Sequence, residues 1–238
     1  EPIPSQLVHR QYAYGVRDVI YFDQRTDKIW PIADFMALVG SDDPKTKKVV
    51  DRNGEAPDLV YASYPTNRIR IPVNKENVLK SGIVKPEDAD KIVDYIDIKL
   101  PSVGMGKNRL LMLDILANND WKRPIYFTGG SYSDEEYIWM RDYLQLDGMA
   151  YKLVPIKTPI DKDNPYDMGR IDADLMYKIV KSFDWGNMDD PNIYHDPETR
   201  RNSIVFRGNL ARLTEALLND EKFDKAKEII DIATTRIP

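Results

Sequence analysis

The segment from residue 107 to residue 156 constrains the fold of this 238-residue chain more than any other segment. It opens at Lys107 with an apolar run that predicts a helix, which Asn118-Asn119-Asp120 ends. The apolar residues of the run are Leu110, Leu111, Met112, Leu113, Ile115, Leu116 and Ala117. Because these residues cover nearly every face of the helix, we expect it to be buried.

Two short strands, each next to a glycine turn, are predicted after that helix. Ile125–Thr128 and Met149–Ile156 have the composition of strands. The first strand leads into Gly129-Gly130, and Asp147-Gly148 forms a turn just before the second.

A helix is predicted between these two strands. Ser133 and Glu136 match the S-x-x-E capping box, which predicts a helix from there to about Leu144. A strand, a capped helix and a second strand within about 30 residues are typical of a parallel, right-handed βαβ crossover. The pattern therefore predicts an α/β fold with a mixed sheet.

Shorter elements are predicted upstream of this crossover. Arg68–Val73 alternates charged and apolar residues and ends near Pro72, which favours an edge strand. The other predicted elements are strands at 16–22 and 95–100 and helices at 31–39, 74–80 and 86–92. Gly104-Met105-Gly106-Lys107 is interpreted as a flexible start of the following helix, because it lacks the spacing of a phosphate-binding P-loop.

The chain is predicted to divide near residue 170, into an α/β domain at 1–170 and a helical region at 171–238. The loop at 158–170, which contains Pro159, Pro165 and Gly169, marks this boundary. An amphipathic helix follows at 171–183, and Asp196-Pro197 supplies the N-cap and first-turn proline of the next helix.

The last two helices match the pattern of one tetratricopeptide repeat. The matching residues are Leu210, Leu213, Leu217, Phe223, Ala226, Ile230, Ala233 and Pro238. An ordinary antiparallel helix pair that closes the α/β core is the alternative. Since a single repeat cannot bury its outer face, the repeat interpretation predicts further repeats after Pro238.

Composition excludes several classes of protein and of site. A net charge of −5 argues against a nucleic-acid partner, and the absence of cysteine excludes disulfides, thiolate nucleophiles and cysteine-ligated metals. The two histidines, His9 and His195, lie far apart and without metal-ligand spacing or a nucleophile motif. We therefore predict no catalytic residue, no metal ligand and no cofactor in this chain.

Six residues near the predicted crossover are weak candidates for ligand binding. They are Gly129, Gly130, Ser131, Tyr132, Trp139 and Tyr143. The first three follow a strand and precede a helix, where backbone N–H groups can bind an anion, and the aromatics offer faces for a sugar or a peptide. A tight turn and packing against a neighbouring domain explain the same residues without a ligand.

Several strings of this sequence resemble one bacterial family of large polytopic membrane proteins of unknown function, itself similar to a eukaryotic transmembrane protein O-mannosyltransferase. The strings are residues 35–45 with the overlapping SDDPKTK at 41–47, 70–75 (RIPVNK), 88–93 (DADKIV), 113–127 (LDILANNDWKRPIYF) and 143–155 (YLQLDGMAYKLVP). The resemblance covers most of residues 10–160.

The resemblance implies a parent protein O-glycosyltransferase with an amino-terminal membrane half of the glycosyltransferase C type. In such enzymes the catalytic acid lies in the membrane half, so the resemblance places no catalytic residue in this chain. It implies that this chain is an extracytoplasmic carboxy-terminal part, at the periplasmic face of the inner membrane.

The first hypothesis is therefore a non-catalytic accessory domain of a membrane glycosyltransferase-like protein. Its expected partners are an acceptor protein or peptide and the membrane half of the parent chain, with a sugar as a further ligand. The alternatives are a carbohydrate-binding or carbohydrate-processing domain and a structural scaffold.

Overall fold

The computed structural model describes residues 19–50, 59–128, 140–158, 168–190 and 192–237. The chain divides into two compact units, Glu1–Arg123 and Pro124–Pro238, and each unit is described by itself. The predicted domain boundary near residue 170 stays a prediction, because a compact unit is not the same as a domain that folds independently. None of the described helices combines the length and apolar character needed to cross a membrane.

The described residues of the first unit form two small mixed sheets and three helices. In chain order its elements are β1 (Val19–Phe22), β2 (Trp30–Pro31), α1 (Ile32–Gly40), β3 (Lys47–Val50), β4 (Leu59–Tyr64), β5 (Arg68–Pro72), α2 (Lys75–Lys80), β6 (Tyr95–Lys99), β7 (Gly104–Gly106) and α3 (Lys107–Asn119), with 3₁₀ turns at Pro44–Thr46 and Pro86–Lys91. The strand orders are β3-β4-β1-β7 and β2-β5-β6.

Each of these sheets contains one parallel pair. β1 runs parallel to β4, and β2 runs parallel to β5, whereas the other pairs are antiparallel. The mixed α/β class predicted from the sequence is therefore confirmed. Gly104–Gly106 pairs with β1 as a regular strand, so the prediction of a flexible start to the next helix was wrong.

The alternating segment around Ile69 and Ile71 forms β5, as predicted, but it is the central strand of its sheet and not an edge strand. Ile69 lies opposite Ile98 and Ile71 opposite Ile96, and all four side chains are buried. An alternation of polar and apolar residues shows only that one face of a strand is covered, and both central and edge strands can have one covered face.

Helix α3 is buried along one stripe only. Leu110, Leu113 and Leu116 are buried, whereas Ile115 is half-exposed, so the prediction of a helix buried on nearly every face was wrong. Helix α3 has more apolar residues than the neighbouring elements cover.

Hydrogen bonds connect the residues that follow α3 to α2 and to the end of β5. Asp120 and Trp121 both have positive φ, 46° and 57°, which few non-glycine residues adopt. The Trp121 indole donates to the carbonyl oxygen of Pro72 at 2.8 Å, and the Asn77 amide donates to the Asp120 carboxylate at 2.8 Å. These bonds hold an unfavourable backbone conformation in place.

In the second unit, the residues that the structure describes form one antiparallel sheet and three helices. Its elements are β8 (Tyr126–Phe127), a 3₁₀ turn (Arg141–Tyr143), β9 (Leu144–Asp147), β10 (Ala150–Leu153), α4 (Ala173–Lys181), α5 (Pro197–Asn219) and α6 (Phe223–Thr235). The strand order is β8-β10-β9, and both pairs are antiparallel.

The parallel βαβ crossover predicted for residues 125–156 was therefore wrong. β9 and β10 are joined by only two residues, Gly148 and Met149, and a connection that short requires antiparallel strands. The capped helix was predicted to continue to about Leu144, but Leu144 begins β9. The start of that helix, at residues 133–139, lies outside the described residues.

Helices α4, α5 and α6 pack together around one apolar core. The buried members of this core are Leu146, Ala173, Met176, Val180, Leu210, Leu213, Leu217, Ala226, Ile229 and Ile237. The predicted N-cap of α5 is confirmed, since the Asp196 carboxylate accepts from the backbone N–H groups of Glu198 and Thr199. Phe223 and Ile230, which belong to the predicted repeat pattern, are exposed on α6.

Charged side chains also tie α4 to α6. Lys222 and Lys225 each donate to the Asp174 carboxylate at 2.8 Å. These two hydrogen bonds lower the pKa of Asp174 to about 2, and the bond from Lys222 has the larger effect. Helices α5 and α6 thus form a helical pair in the structure. That this pair belongs to a tetratricopeptide array stays a prediction.

Gly148 offers a direct test of the hairpin packing. Its φ is +67°, and a Cβ atom there would lie 2.8 Å from Phe183 Cζ and 2.9 Å from Ile179 Cγ2. Gly186 also has a positive φ, +55°, but a Cβ atom there would meet nothing within 4 Å. We expect Gly148→Ala to lower the free energy of unfolding by about 1–3 kcal/mol more than Gly186→Ala, as measured by urea denaturation. Equal losses would show that the packing around Gly148 is not tight.

Candidate functional site

The structure describes one of the six residues predicted to bind a ligand. Gly129, Gly130, Ser131, Tyr132 and Trp139 lie outside the described residues. Their role therefore stays a prediction.

Tyr143, the sixth predicted residue, lies in the 3₁₀ turn before β9, and 9% of its surface is exposed. Its backbone carbonyl accepts from the N–H of Val154, the residue that follows β10, at 2.8 Å, which fixes the turn to the end of that strand. A ring with so little exposed surface offers little area on which a ligand can stack.

A polar cluster that the sequence analysis did not anticipate lies on the sheet of the second unit. Its residues Gln145, Asp147 and Lys152 are buried, and Tyr126 is half-exposed. The Lys152 amine contacts the Asp147 carboxylate at 2.9 Å, and their side chains are only 4% and 2% exposed. Gln145 Nε2 donates to the other carboxylate oxygen of Asp147 at 2.8 Å. The Tyr126 hydroxyl donates to Asp147 Oδ2 at 3.2 Å, so three groups converge on one carboxylate.

Strand register brings these four side chains together. Lys152 on β10 lies directly opposite Tyr126 on β8 and Gln145 on β9. Asp147 lies two residues beyond Gln145 on the same strand and therefore on the same face. The sequence analysis did not predict β9, because the predicted helix ended at about Leu144 and the predicted turn began at Asp147, which left only two residues between them.

The cluster is arranged to hold the sheet together. Burial first, and then the neighbouring Asp147 carboxylate, raise the pKa of Tyr126 to about 12, so the phenol stays a neutral donor to a higher pH than an ordinary tyrosine. A buried ion pair offsets its desolvation only when its remaining hydrogen-bonding groups are satisfied, and Gln145 and Tyr126 serve that purpose for Asp147. The cluster therefore fixes β8 and β9 to β10.

Metal binding has no evident ligands in the described part of the chain. There, no group of three or more histidine or carboxylate side chains has a metal-binding arrangement.

Helix α5 is anchored on one side to the loops of the same unit. The Asn209 amide donates to the Gly148 carbonyl at 3.0 Å, and the Arg212 guanidinium donates to the carbonyls of Met168 and Gly169 at 2.9 and 3.0 Å. These bonds place α5 against the β9–β10 turn.

The other side of α5 forms an open groove with α6, which we call the α5–α6 groove. Its volume is about 370 Å³, and its lining residues are Arg207, Ala211, Thr214, Glu215, Leu218, Ile230, Ala233 and Thr234. Leu218 and Ile230 are 45% and 47% exposed. Because small side chains lie between these larger apolar ones, the groove can accept a protruding side chain or a helix.

The described part of the chain is thus a mixed α/β fold with a helical pair, a structural polar cluster and an open apolar groove. The family model of TMEM260-associated domain 2 matches residues 1–175, which is 175 of the 238 residues. The chain therefore belongs to this family. No curated protein and no solved structure matches the chain.

Family membership confirms part of the resemblance read from the sequence, namely the link to the O-mannosyltransferase-like TMEM260 proteins. The polar cluster at residues 126–152 lies within the matched region. The α5–α6 groove, at residues 207–234, lies C-terminal to it.

The polar cluster predicts a specific stability pattern. Lys152→Met leaves the buried Asp147 charge without its counter-ion, so we expect it to lower the free energy of unfolding by about 3–5 kcal/mol in urea denaturation. Adding Asp147→Asn should recover part of this loss, because the unpaired charge is then removed.

Lys181→Met is the matched control for this substitution. Lys181 pairs with Glu228 at the same 2.9 Å, but both side chains are about half-exposed, so its loss should cost less than about 1 kcal/mol. Equal effects of Lys152→Met and Lys181→Met would contradict the buried-pair interpretation.

Proposed function

We propose that this chain is a non-catalytic, extracytoplasmic accessory domain of a TMEM260-like membrane glycosyltransferase, and that it docks an acceptor protein or another polypeptide. The sugar transfer itself belongs, in this proposal, to the membrane half of a longer protein, and the domain acts at the periplasmic face of the inner membrane. Membership of TMEM260-associated domain 2 supports the accessory role.

The observation that carries the docking role is the α5–α6 groove. Its walls expose Leu218 and Ile230 to solvent, although the opposite face of α5 is fully buried. Exposed apolar surface that surrounds a depression is a common feature of protein-binding sites. In the tetratricopeptide interpretation, the same groove is the face on which a neighbouring helix packs.

The experiment is a titration of the fluorescently labelled chain with a permanently unfolded polypeptide, reduced and carboxymethylated α-lactalbumin, followed by fluorescence anisotropy. The labelled domain is kept at nanomolar concentration so that binding to the polypeptide is the only event measured. We expect saturable binding that Leu218→Asp or Ile230→Asp weakens at least about tenfold, since each places a charge in an apolar contact.

Val103→Asp is the matched control, because Val103 is an exposed apolar residue of the first unit, 82% exposed. It should leave the affinity unchanged. Absence of polypeptide binding, or equal weakening by all three variants, would contradict docking through the groove.

Two further outcomes would contradict the accessory role itself. Sugar transfer by the isolated chain would assign it catalytic activity. Saturable binding of mannosides that Trp139→Ala abolishes, without polypeptide binding, would favour the carbohydrate-binding alternative.

A further inference from the structure

Helix α5 presents a second, outward stripe that the core of the unit does not use. The stripe consists of Ile204, Gly208, Ala211, Glu215 and Leu218, and all five residues are exposed. Their spacing of four, three, four and three residues places them along one side of the helix, over about 21 Å. Ile204 and Leu218, the two large apolar residues of the stripe, are 69% and 45% exposed.

The stripe is symmetric about Ala211. Ile204 precedes Ala211 by seven residues and Leu218 follows it by seven, so the two large apolar residues lie at equal distances from the small one. If two α5 helices cross antiparallel at Ala211, Ile204 of each lies near Leu218 of the other. A surface that complements itself in this way is the requirement for a two-fold symmetric dimer.

Two charged residues, Glu215 in the stripe and Arg207 beside it, have the same symmetry. Arg207 precedes Ala211 by four residues and Glu215 follows it by four, and both line the α5–α6 groove. The Arg207 guanidinium donates to the Ile237 carbonyl at 2.8 Å, which holds it at the rim of the groove. In the antiparallel arrangement Arg207 of each helix faces Glu215 of the other, and the arrangement therefore contains two opposite-charge pairs.

Gly208 is otherwise unexplained in the fold. It lies in the middle of a 23-residue helix, where glycine is less favourable than alanine, and a Cβ atom there would meet nothing within 4 Å. Packing within the unit therefore does not require glycine at this position. A second backbone that crosses α5 close to Gly208 and Ala211 would require small residues there.

From these observations we propose that the α5–α6 groove is occupied by α5 of a second copy of this chain, in an antiparallel, two-fold symmetric pair centred on Ala211. The proposal rests on the docking role of the groove and names its occupant. Leu218 of each copy packs beside Ile204 of the other, and Ala211, Thr214 and Ala233 provide the space into which the second helix fits.

The test is the mass of the 238-residue chain, measured by sedimentation equilibrium at about 1–200 µM, the range in which a micromolar dimer dissociates. The expected mass rises with concentration toward twice the 27.5 kDa of one chain. Gly208→Leu should prevent close approach and shift the dissociation constant at least tenfold. Since leucine is the better helix former, the same variant should melt no lower than the wild type.

A charge exchange tests the arrangement of the two helices. Glu215→Arg faces Arg207 of the second copy and should weaken the dimer at least tenfold. Arg207→Glu combined with Glu215→Arg restores opposite charges and should restore the dimer. Lys178→Glu, an exposed charge reversal on α4, is the matched control and should leave the mass unchanged.

Each result decides for or against the second copy. A dimer that Gly208→Leu and Glu215→Arg weaken and the double variant restores supports the proposal. A monomer at every concentration, or a dimer insensitive to these variants, would overturn it. A monomer that still binds unfolded polypeptide through Leu218 and Ile230 would overturn this inference alone and leave the docking role intact.

Discussion

The burial of one face of α5 is the interaction on which the second unit depends. Leu210, Leu213 and Leu217 lie on this face and contribute to a single core with α4, α6 and strand β9. From the same helix, Asn209 and Arg212 donate hydrogen bonds to the loops beside the sheet. Because this face of α5 is buried in the core, the opposite face is left to solvent or to a partner. That opposite face lines the α5–α6 groove.

The polar cluster around Asp147 complements this apolar core. Apolar packing is non-directional and tolerates shifts in strand register, whereas an ion pair with two additional donors is satisfied in one register only. Lys152, Gln145 and Tyr126 therefore specify how β8, β9 and β10 align. These residues lie in the strings that carry the family resemblance, and their arrangement gives those strings a structural role.

Local signals in the sequence predicted local structure well, and the failures concern partners distant in the chain. Asp196-Pro197 predicted the start of α5, because a cap depends only on adjacent residues. The direction of β8 against β10 depends on recognising β9, which was not predicted because its residues were divided between the end of a predicted helix and a predicted turn. Phe223 and Ile230 fit the repeat pattern, but that pattern assumes neighbouring repeats, and in this chain both are exposed. The groove depends on such tertiary packing, so the sequence alone could not locate it.

The most direct test of this account compares two leucines on opposite faces of α5. Leu213 is buried and Leu218 is half-exposed beside the groove. In urea denaturation of the monomer, Leu213→Ala should lower the free energy of unfolding by about 2–5 kcal/mol, and Leu218→Ala by no more than about 0.5 kcal/mol. Equal losses would contradict the account, because they would show that both faces of the helix serve the fold and that neither is reserved for a partner.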